Sequence, residues 1–240
     1  WYLLRSMKAQ KEGYKASSLP RCIQYSFIGF FYSGITPSAT GGQPVQLYYM
    51  NKDGNRGSDS TVVLMTVAVA YKFVLVVMGL GILLFWINPL RQELGNYFPL
   101  YLLGLALNVI LVVLILGVML FPKVILKLAL LFEGLFIRLK IWKSSEKREE
   151  KINGFIDSYQ QAVTWLKDHK GSLLVVIFVT FLQRCSVFVL TYMVYLGFGL
   201  QGSGAMKVIL LQAAVYIAVD MLPLPGAQGI TELMYQAVFV

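Results

Sequence analysis

Apolar and charged positions alternate in long blocks along the chain. Thr61–Ile87 contains one charged residue, Lys72; Phe98–Leu120 contains none; and Ser172–Leu200 contains one, Arg184. A helix that crosses a bilayer needs roughly 20 predominantly apolar residues, so each block predicts a transmembrane helix. Three such blocks are too many for a signal peptide. The pattern therefore predicts an all-α, polytopic integral membrane helix bundle.

Two further apolar segments are interrupted by proline and glycine. Cys22–Met50 contains TPSATGGQP at Thr36–Pro44, and the segment that begins at Val208 is interrupted at Pro223–Gly229. Proline removes a backbone donor and glycine weakens a helix interior, so neither break is expected to continue as a helix. The pattern predicts a hairpin of two short helices at Cys22–Met50 and a second broken, re-entrant element later in the chain, although Ala205–Leu222 is nearly long enough to cross the membrane.

Composition supports a membrane location and indicates a lipid partner. Hydrophobic residues make up 57% of the chain and charged residues 14%, whereas a soluble domain carries about a quarter charged residues. The net charge is +9, and the positive residues flank the apolar blocks. Anionic lipid headgroups are therefore a better match than nucleic acid.

Lysine and arginine are distributed unevenly between the connecting segments. Most lie in Asn51–Ser60 and Phe121–Gly171, whereas Asn88–Tyr97 and Gln201–Lys207 hold one each. The side of a membrane protein that is rich in Lys and Arg is cytoplasmic, so the first two segments are predicted to face the cytoplasm. The two broken elements then enter from opposite faces, which is the inverted-repeat-like arrangement of many transporters.

Residues 121–171 form a basic amphipathic segment. Apolar residues recur in it at helical spacing: Ile152, Phe155, Ile156, Tyr159, Val163 and Leu166. This spacing predicts an amphipathic helix at the cytoplasmic interface; a solvated connector with an apolar face is the alternative. We treat residues 1–240 as a single transmembrane domain and expect them to be a fragment of a longer protein.

Two charges lie near the middle of predicted spans. A central Lys or Arg costs roughly 2.5–3.5 kcal/mol even on a lenient insertion scale, so Lys72 and Arg184 are candidates for attracting a lipid phosphate. Alternatively, each pairs structurally with Glu232 or Asp220, or reaches towards the interface. Glu232 could pair with a basic residue, contact a cationic headgroup or carry a proton, and Asp220 could simply cap the Pro-rich turn.

The breaks are themselves candidate anion sites. Unwound backbone at membrane depth is tolerated only where protein or water surrounds it, and freed N–H groups and helix N-termini favour phosphate. An ordinary loop outside the membrane is the alternative. The predicted lipid-headgroup-binding residues are Lys72, Arg184, Glu232, Asp220, Thr40, Gly41, Gly42, Gln43, Pro44, Pro225, Gly226, Gln228 and Gly229.

Signatures of enzymes are missing from the sequence. His169 is the single histidine, so no catalytic triad can be assembled. Cys22 and Cys185 lack metal-ligand spacing and are expected to pack as small apolar residues. Gly197–Gly202 fits G-x-G-x-x-G, but it follows a membrane helix rather than a strand, so we reject a nucleotide site. We expect no catalytic residues, no metal and no cofactor.

The residue motifs at the two breaks resemble those of a known family. TPSATGGQP at Thr36–Pro44, followed by Leu47–Tyr49, and LPLPGAQGITE at Leu222–Glu232 resemble the lysylphosphatidylglycerol synthase transmembrane family. The resemblance covers essentially the whole chain and departs at Ala227, where glycine is expected in many relatives. The family is helical and has more membrane segments than this chain, so segments are expected to be missing at both ends.

The resemblance implies movement of lipid between leaflets. The family includes the flippase domain of the multiple peptide resistance factor, which moves aminoacylated phosphatidylglycerol and so protects the cell against cationic peptides. For this chain, the resemblance implies translocation of an anionic or aminoacylated phospholipid between leaflets of the bacterial cytoplasmic membrane. In that relative a separate soluble domain transfers the aminoacyl group from tRNA, and nothing in this sequence resembles it.

Three alternatives stay open. The chain could be the membrane part of a phosphatidylglycerol lysyltransferase, a transporter of a polyprenyl-phosphate carrier, or a lipid-binding scaffold that recruits cytoplasmic partners through Lys143–Lys170. The expected partners are a phospholipid or other anionic lipid and the membrane, without nucleic acid. A homodimer and a soluble aminoacyltransferase domain or partner are both compatible with the sequence.

Overall fold

The charge-poor blocks of the sequence fold into long helices. The computed structural model describes residues 1–8, 17–36, 40–121, 146–222 and 227–239, with the backbone alone for Lys8 and 146–152. Regular structure in these residues is helical, and they contain no β-strand. The α-helices are α1 (Tyr2–Lys8), α2 (Leu19–Ile35), α3 (Gly42–Lys52), α4 (Gly57–Phe85), α5 (Ile87–Leu94), α6 (Phe98–Leu120), α7 (Glu146–Asp168), α8 (Lys170–Gly197), α9 (Ala205–Val219) and α10 (Ile230–Phe239).

Within the described residues, three stretches are long and apolar enough to cross a membrane. They are Gly57–Phe85, Ile87–Leu120 and Lys170–Gly197. Their outer faces carry large exposed apolar side chains, among them Phe85 and Phe178, and exposed apolar surface of this kind marks contact with lipid. The predicted all-α membrane helix bundle is therefore confirmed, and the protein is a multi-pass membrane protein.

Helix α9 lies in the middle of the bundle. It packs against α4, α6 and α8, and nine of its twelve residues from Val208 to Val219 are buried. A helix that is apolar on every side belongs in such a position. Gly104 of α6 permits the close approach, because a Cβ there would lie 2.7 Å from Cα of Ala218. With 15 residues, α9 is about 22 Å long, shorter than the roughly 30 Å hydrocarbon core of a bilayer.

Helices α2 and α3 form the predicted hairpin. They pack directly against each other. A Cβ on Gly42 would lie 2.5 Å from the backbone oxygen of Gly29, so the absence of a side chain lets the helices approach. Gln46 Nε2 donates a hydrogen bond to the backbone oxygen of Tyr25 at 3.0 Å. Small residues and one polar bridge thus hold two short helices together.

An ion pair closes the open end of this hairpin. Arg21 Nε and Nη2 donate to the two carboxylate oxygens of Asp53 at 2.5 and 2.9 Å, and the Tyr25 hydroxyl donates to the same carboxylate. The hydrogen bonds from Arg21 and Tyr25 lower the pKa of Asp53 to about 2. The beginning of α2 is therefore tied to the end of α3.

The first break is shorter than the sequence predicts. Gly42, Gln43 and Pro44 form the first turn of α3 instead of continuing the break. Proline is tolerated there because the first N–H groups of a helix have no partner within the helix. The remaining break is closed by a hydrogen bond of 2.9 Å from the Gly41 N–H to Thr36 Oγ1; positions 37–39 lie outside the described residues.

Helix α7 makes up most of the described part of the basic amphipathic segment 121–171. Its buried residues recur at helical spacing and include Ile156. Three of them, Tyr159, Val163 and Leu166, pack with residues of α1 and α4 in one apolar cluster. Burial raises the pKa of Tyr159 to about 12. The apolar face is thus covered by protein, and a location of α7 at the membrane interface stays a prediction.

Candidate functional site

Lys72, near the middle of α4, forms an ion pair with Asp220, the first residue after α9. The two side chains are only 13% and 11% exposed. Lys72 Nζ also lies 3.0 Å from the sulfur of Met221. Of the alternatives for Lys72, the structure therefore shows a structural partner, and that partner is Asp220.

Two tyrosines complete the junction between α4 and α9. The hydroxyl groups of Tyr71 and Tyr216 are hydrogen-bonded to each other. The Tyr71 hydroxyl also lies 3.1 Å from Asp220 Oδ1 and donates to it. Asp220 therefore uses one oxygen for Lys72 and the other for Tyr71, which fixes the orientation of its carboxylate.

Arg184 of α8 reaches the same junction from a third helix. Its guanidinium lies 4.8 Å from the ring centre of Tyr71 and 5.8 Å from that of Tyr216. One terminal nitrogen is 3.5 Å from the Tyr216 hydroxyl, which makes a long hydrogen bond. Arg184 Nε is buried and has no hydrogen-bond partner among the described residues. Aromatic faces rather than a carboxylate hold this cation.

We call Tyr71, Lys72, Arg184, Tyr216 and Asp220 the cationic cluster. It contains two cations and one carboxylate, so it keeps one formal positive charge. Its charged groups are partly or largely removed from solvent, where electrostatic interactions are stronger than in water. The cluster can therefore attract and orient an anion at the place where α4, α8 and the end of α9 meet.

An apolar groove runs between α4 and α8, the helices that also carry Lys72 and Arg184. Its volume is about 400 Å³, and its walls include Phe73, Val77, Phe178 and Phe181. Phe73 follows Lys72 directly, and Phe181 lies one helical turn before Arg184. Lys72, Arg184 and the apolar groove are thus carried by the same two helices.

The candidates from the first break lie elsewhere. Thr40 and Gly41 precede α3, and Gly42, Gln43 and Pro44 begin it. Helix α3 packs against α2 and α4, whereas the contacts of the cationic cluster come from α4, α8 and the end of α9. These five residues are therefore not among those whose contacts define the cluster.

Among the candidates from the second break, Glu232 has a local role. Pro225 and Gly226 lie outside the described residues, and Gln228 is exposed. The N–H of Gly229 donates to Glu232 Oε2 at 2.6 Å. A glutamate at the third position of a helix that reaches back to the N-cap satisfies a free backbone donor. Glu232 is exposed and caps α10, while Asp220 supplies the carboxylate of the cluster.

Tyr71 and Tyr216 are functional candidates that the sequence pattern did not single out. They are 145 positions apart, and tyrosine is common in membrane helices near the interface. The sequence could still have indicated these two tyrosines as candidates, because Tyr71 adjoins Lys72 and Tyr216 lies one helical turn before Asp220. No group of three His, Cys, Asp or Glu that could hold a metal occurs in the part of the chain that the structure describes.

Comparison with known proteins identifies relatives of the whole chain. A family model described as the lysylphosphatidylglycerol synthase TM region matches residues 1–240. A UPF0104 membrane protein of Pyrococcus horikoshii is 27% identical over 231 residues, which cover 93% of this chain and 67% of that protein. No solved structure matches the chain.

Proposed function

Because the chain belongs to the family described as the lysylphosphatidylglycerol synthase TM region, we propose that it moves an anionic or aminoacylated phospholipid between the leaflets of the bacterial cytoplasmic membrane. The headgroup would pass through the cationic cluster while the acyl chains stay in the hydrocarbon. This is a transport function, and it needs no catalytic residue.

The main support for this proposal is the position of Arg184 and the partners that surround it. A guanidinium near the middle of a spanning helix costs roughly 2.5–3.5 kcal/mol even on a lenient insertion scale. Lys72 has Asp220 as its counterion, but the described residues give Arg184 a hydroxyl and two aromatic rings. Guanidinium groups bind phosphate through parallel N–H donors. Among the described residues Arg184 has no carboxylate partner, and an anionic headgroup would supply a counterion.

The groove between α4 and α8 supports a lipid as the cargo. Its walls are almost entirely apolar, and it opens to the outside of the bundle. A free anion gains nothing from such a surface, whereas burial of an acyl chain contributes about 0.8 kcal/mol for each CH₂ group. With the phosphate at Arg184, a chain would lie along Phe178 and Phe181.

The two broken elements provide a route for the headgroup in this proposal. The loop charges predict that they enter from opposite faces, and α9 is too short to span the hydrocarbon core by itself. Asp220 and the second break would then lie within the membrane, with the first turn of α3 approaching from the other side. Alternating exposure of the cluster to the two faces would move the headgroup across.

Vesicle transport tests the proposal directly. The purified protein, reconstituted in phosphatidylcholine vesicles with a trace of acyl-labelled phosphatidylglycerol, should make inner-leaflet label accessible to an external quencher faster than protein-free vesicles do. Arg184→Ala should slow this step at least about tenfold, equivalent to about 1.4 kcal/mol. Arg91→Ala, on the exposed face of α5, is the matched control and should leave the rate unchanged. No movement of any lipid by the native protein would overturn the proposal.

Glu232 requires a separate pair of variants, because its carboxylate caps α10. Glu232→Gln keeps an oxygen that can accept the Gly229 N–H, whereas Glu232→Ala removes it. If Glu232 acts only through the cap, transport should survive the first substitution and fall in the second. Equal loss in both would assign a role in transport to its charge.

A further inference from the structure

We infer that the cationic cluster selects lipids whose headgroup carries one net negative charge on a phosphodiester, and that it rejects aminoacylated headgroups with a net positive charge. The inference rests on the proposed translocation of lipids and narrows its substrate. It follows from the charge balance of the cluster, in which Asp220 compensates one of two cations.

Both carboxylate oxygens of Asp220 have partners inside the protein. One carboxylate oxygen pairs with Lys72, and the other accepts the hydrogen bond of Tyr71 at 3.1 Å. Lys72 therefore has its counterion in place. Arg184 remains, with a long hydrogen bond to a hydroxyl and a buried Nε that has no partner among the described residues. One such guanidinium matches one phosphodiester charge.

A cationic headgroup finds no acceptor in the cluster. Ammonium groups are bound by carboxylates or by aromatic faces. The carboxylate is occupied, the ring of Tyr71 already has Arg184 at 4.8 Å and Lys72 at 5.2 Å, and the ring of Tyr216 has Arg184 at 5.8 Å. An additional positive charge would meet like charges, which disfavours binding.

A phosphate monoester with two negative charges fits less well than a diester. Its second charge could be neutralised only if Lys72 left Asp220. The carboxylate, which is 11% exposed, would then lose its ion partner, and a buried charge without a partner is strongly unfavourable. The cluster is therefore matched to the diester.

The selectivity can be measured with three lipids that share the same labelled acyl chains. Phosphatidylglycerol, phosphatidic acid and lysylphosphatidylglycerol are each placed as a trace in phosphatidylcholine vesicles that contain the full chain. Phosphatidylglycerol should move at least about tenfold faster than lysylphosphatidylglycerol, and faster than phosphatidic acid. Soluble glycerophosphoglycerol, which has the same headgroup without acyl chains, should not compete at equal concentration, because it cannot use the groove.

Charge substitutions at Arg184 link the selectivity to the cluster. Arg184→Glu should make lysylphosphatidylglycerol move faster than phosphatidylglycerol. Arg184→Gln should bring the ratio of the phosphatidylglycerol rate to the lysylphosphatidylglycerol rate close to one. Arg91→Glu makes the same charge change at an exposed position of α5 and should leave the ratio unchanged. Size-exclusion chromatography and thermal unfolding identify any variant that fails to fold, and in that case the ratio in the other Arg184 variant decides.

The possible outcomes separate the two proposals. Equal rates for all three lipids, or a preference of the native protein for lysylphosphatidylglycerol, would overturn the selectivity and leave translocation standing. A ratio that Arg184→Gln and Arg184→Glu do not change would also overturn it. Movement of none of the lipids would overturn translocation itself, and the selectivity with it.

Discussion

The ammonium group of Lys72 lies against the carboxylate of Asp220, 148 positions later in the chain. The pair joins the middle of α4 to the point where α9 ends. Because both side chains are largely buried, the contact sets where the second break begins relative to α4. It also leaves Arg184 as the cation of the cluster that has no carboxylate among the described residues.

Removal of one member of this pair should destabilise the protein far more than removal of both. Lys72→Met or Asp220→Asn leaves a buried charge without its partner, which costs about 3–5 kcal/mol. The double variant removes both charges and should cost less than either single change. Unfolding of the four proteins in mixed micelles gives the coupling free energy directly.

The ion pair between Lys207 and Glu93 is the control for that comparison. Its atoms are 2.7 Å apart, but the side chains are 39% and 30% exposed. Exposed pairs contribute about 0–1 kcal/mol, so the corresponding single variants should change stability little. A coupling energy for Lys72 and Asp220 as small as that of the exposed pair would contradict their burial.

A side chain at Gly42 should open the hairpin of α2 and α3. The added Cβ of Gly42→Ala would meet the backbone oxygen of Gly29 at 2.5 Å, and a backbone atom moves only with its helix. Overpacking of this kind costs about 1–3 kcal/mol. Gly34→Ala, where a Cβ meets nothing within 4 Å, should instead be neutral or slightly stabilising. Equal thermal stability of the two variants would refute the close approach.

Replacement of Ala227 by glycine should stabilise the folded protein. Its φ of 53° lies in the left-handed region, which costs an L-residue about 1–2 kcal/mol. Ala227→Gly removes this cost and loses part of the gain to the larger freedom of the unfolded chain, so we expect a stabilisation of about 0.5–1 kcal/mol. Ala106→Gly, at an exposed position inside α6, should have the opposite sign. The glycine that the family resemblance leads us to expect at residue 227 would thus have a measurable effect on stability.

The contact between Arg21 and Asp53 should weaken in strong acid. The pKa of Asp53 falls from its ordinary value of 3.8 to about 2 in the folded protein, so its stabilising effect is fully present above about pH 4 and is lost as the pH falls through about 2. The stability difference between the native protein and Asp53→Asn should be small, because the pair is exposed. This difference should be constant from pH 7 to about pH 4 and absent near pH 2. A stability difference between these two proteins that grows as the pH falls would contradict the prediction.

Much of the fold can be predicted from the sequence, because helices that cross a membrane require long runs without charged residues. Thr61–Ile87 and Phe98–Leu120 were predicted as spans, and the structure has helices there. The hairpin was predicted because proline and glycine are concentrated at one place. The end of the first break was predicted wrongly, since proline in the first turn of α3 disrupts no helical hydrogen bond.

The candidate site was only partly visible in the sequence. Lys72 and Arg184 stand out because charges are rare in apolar runs, but nothing local indicates which carboxylate each would meet. Asp220 and Glu232 were both candidates, and only the packing of α9 against α4 distinguishes them. Tyr71 and Tyr216 were missed because a contact between residues 145 positions apart leaves no periodic signal.

The distance along the chain between Lys72 and Asp220 also has a consequence for biogenesis. Ribosomes add roughly 5–20 residues per second, so the 148 intervening positions correspond to roughly 7–30 s of synthesis. During that interval α4 has emerged with its lysine, and the carboxylate that will neutralise it does not yet exist. The nascent segment must draw its counterion from water, from lipid phosphate or from the insertion machinery, and it exchanges that partner for Asp220 only when α9 enters the bundle.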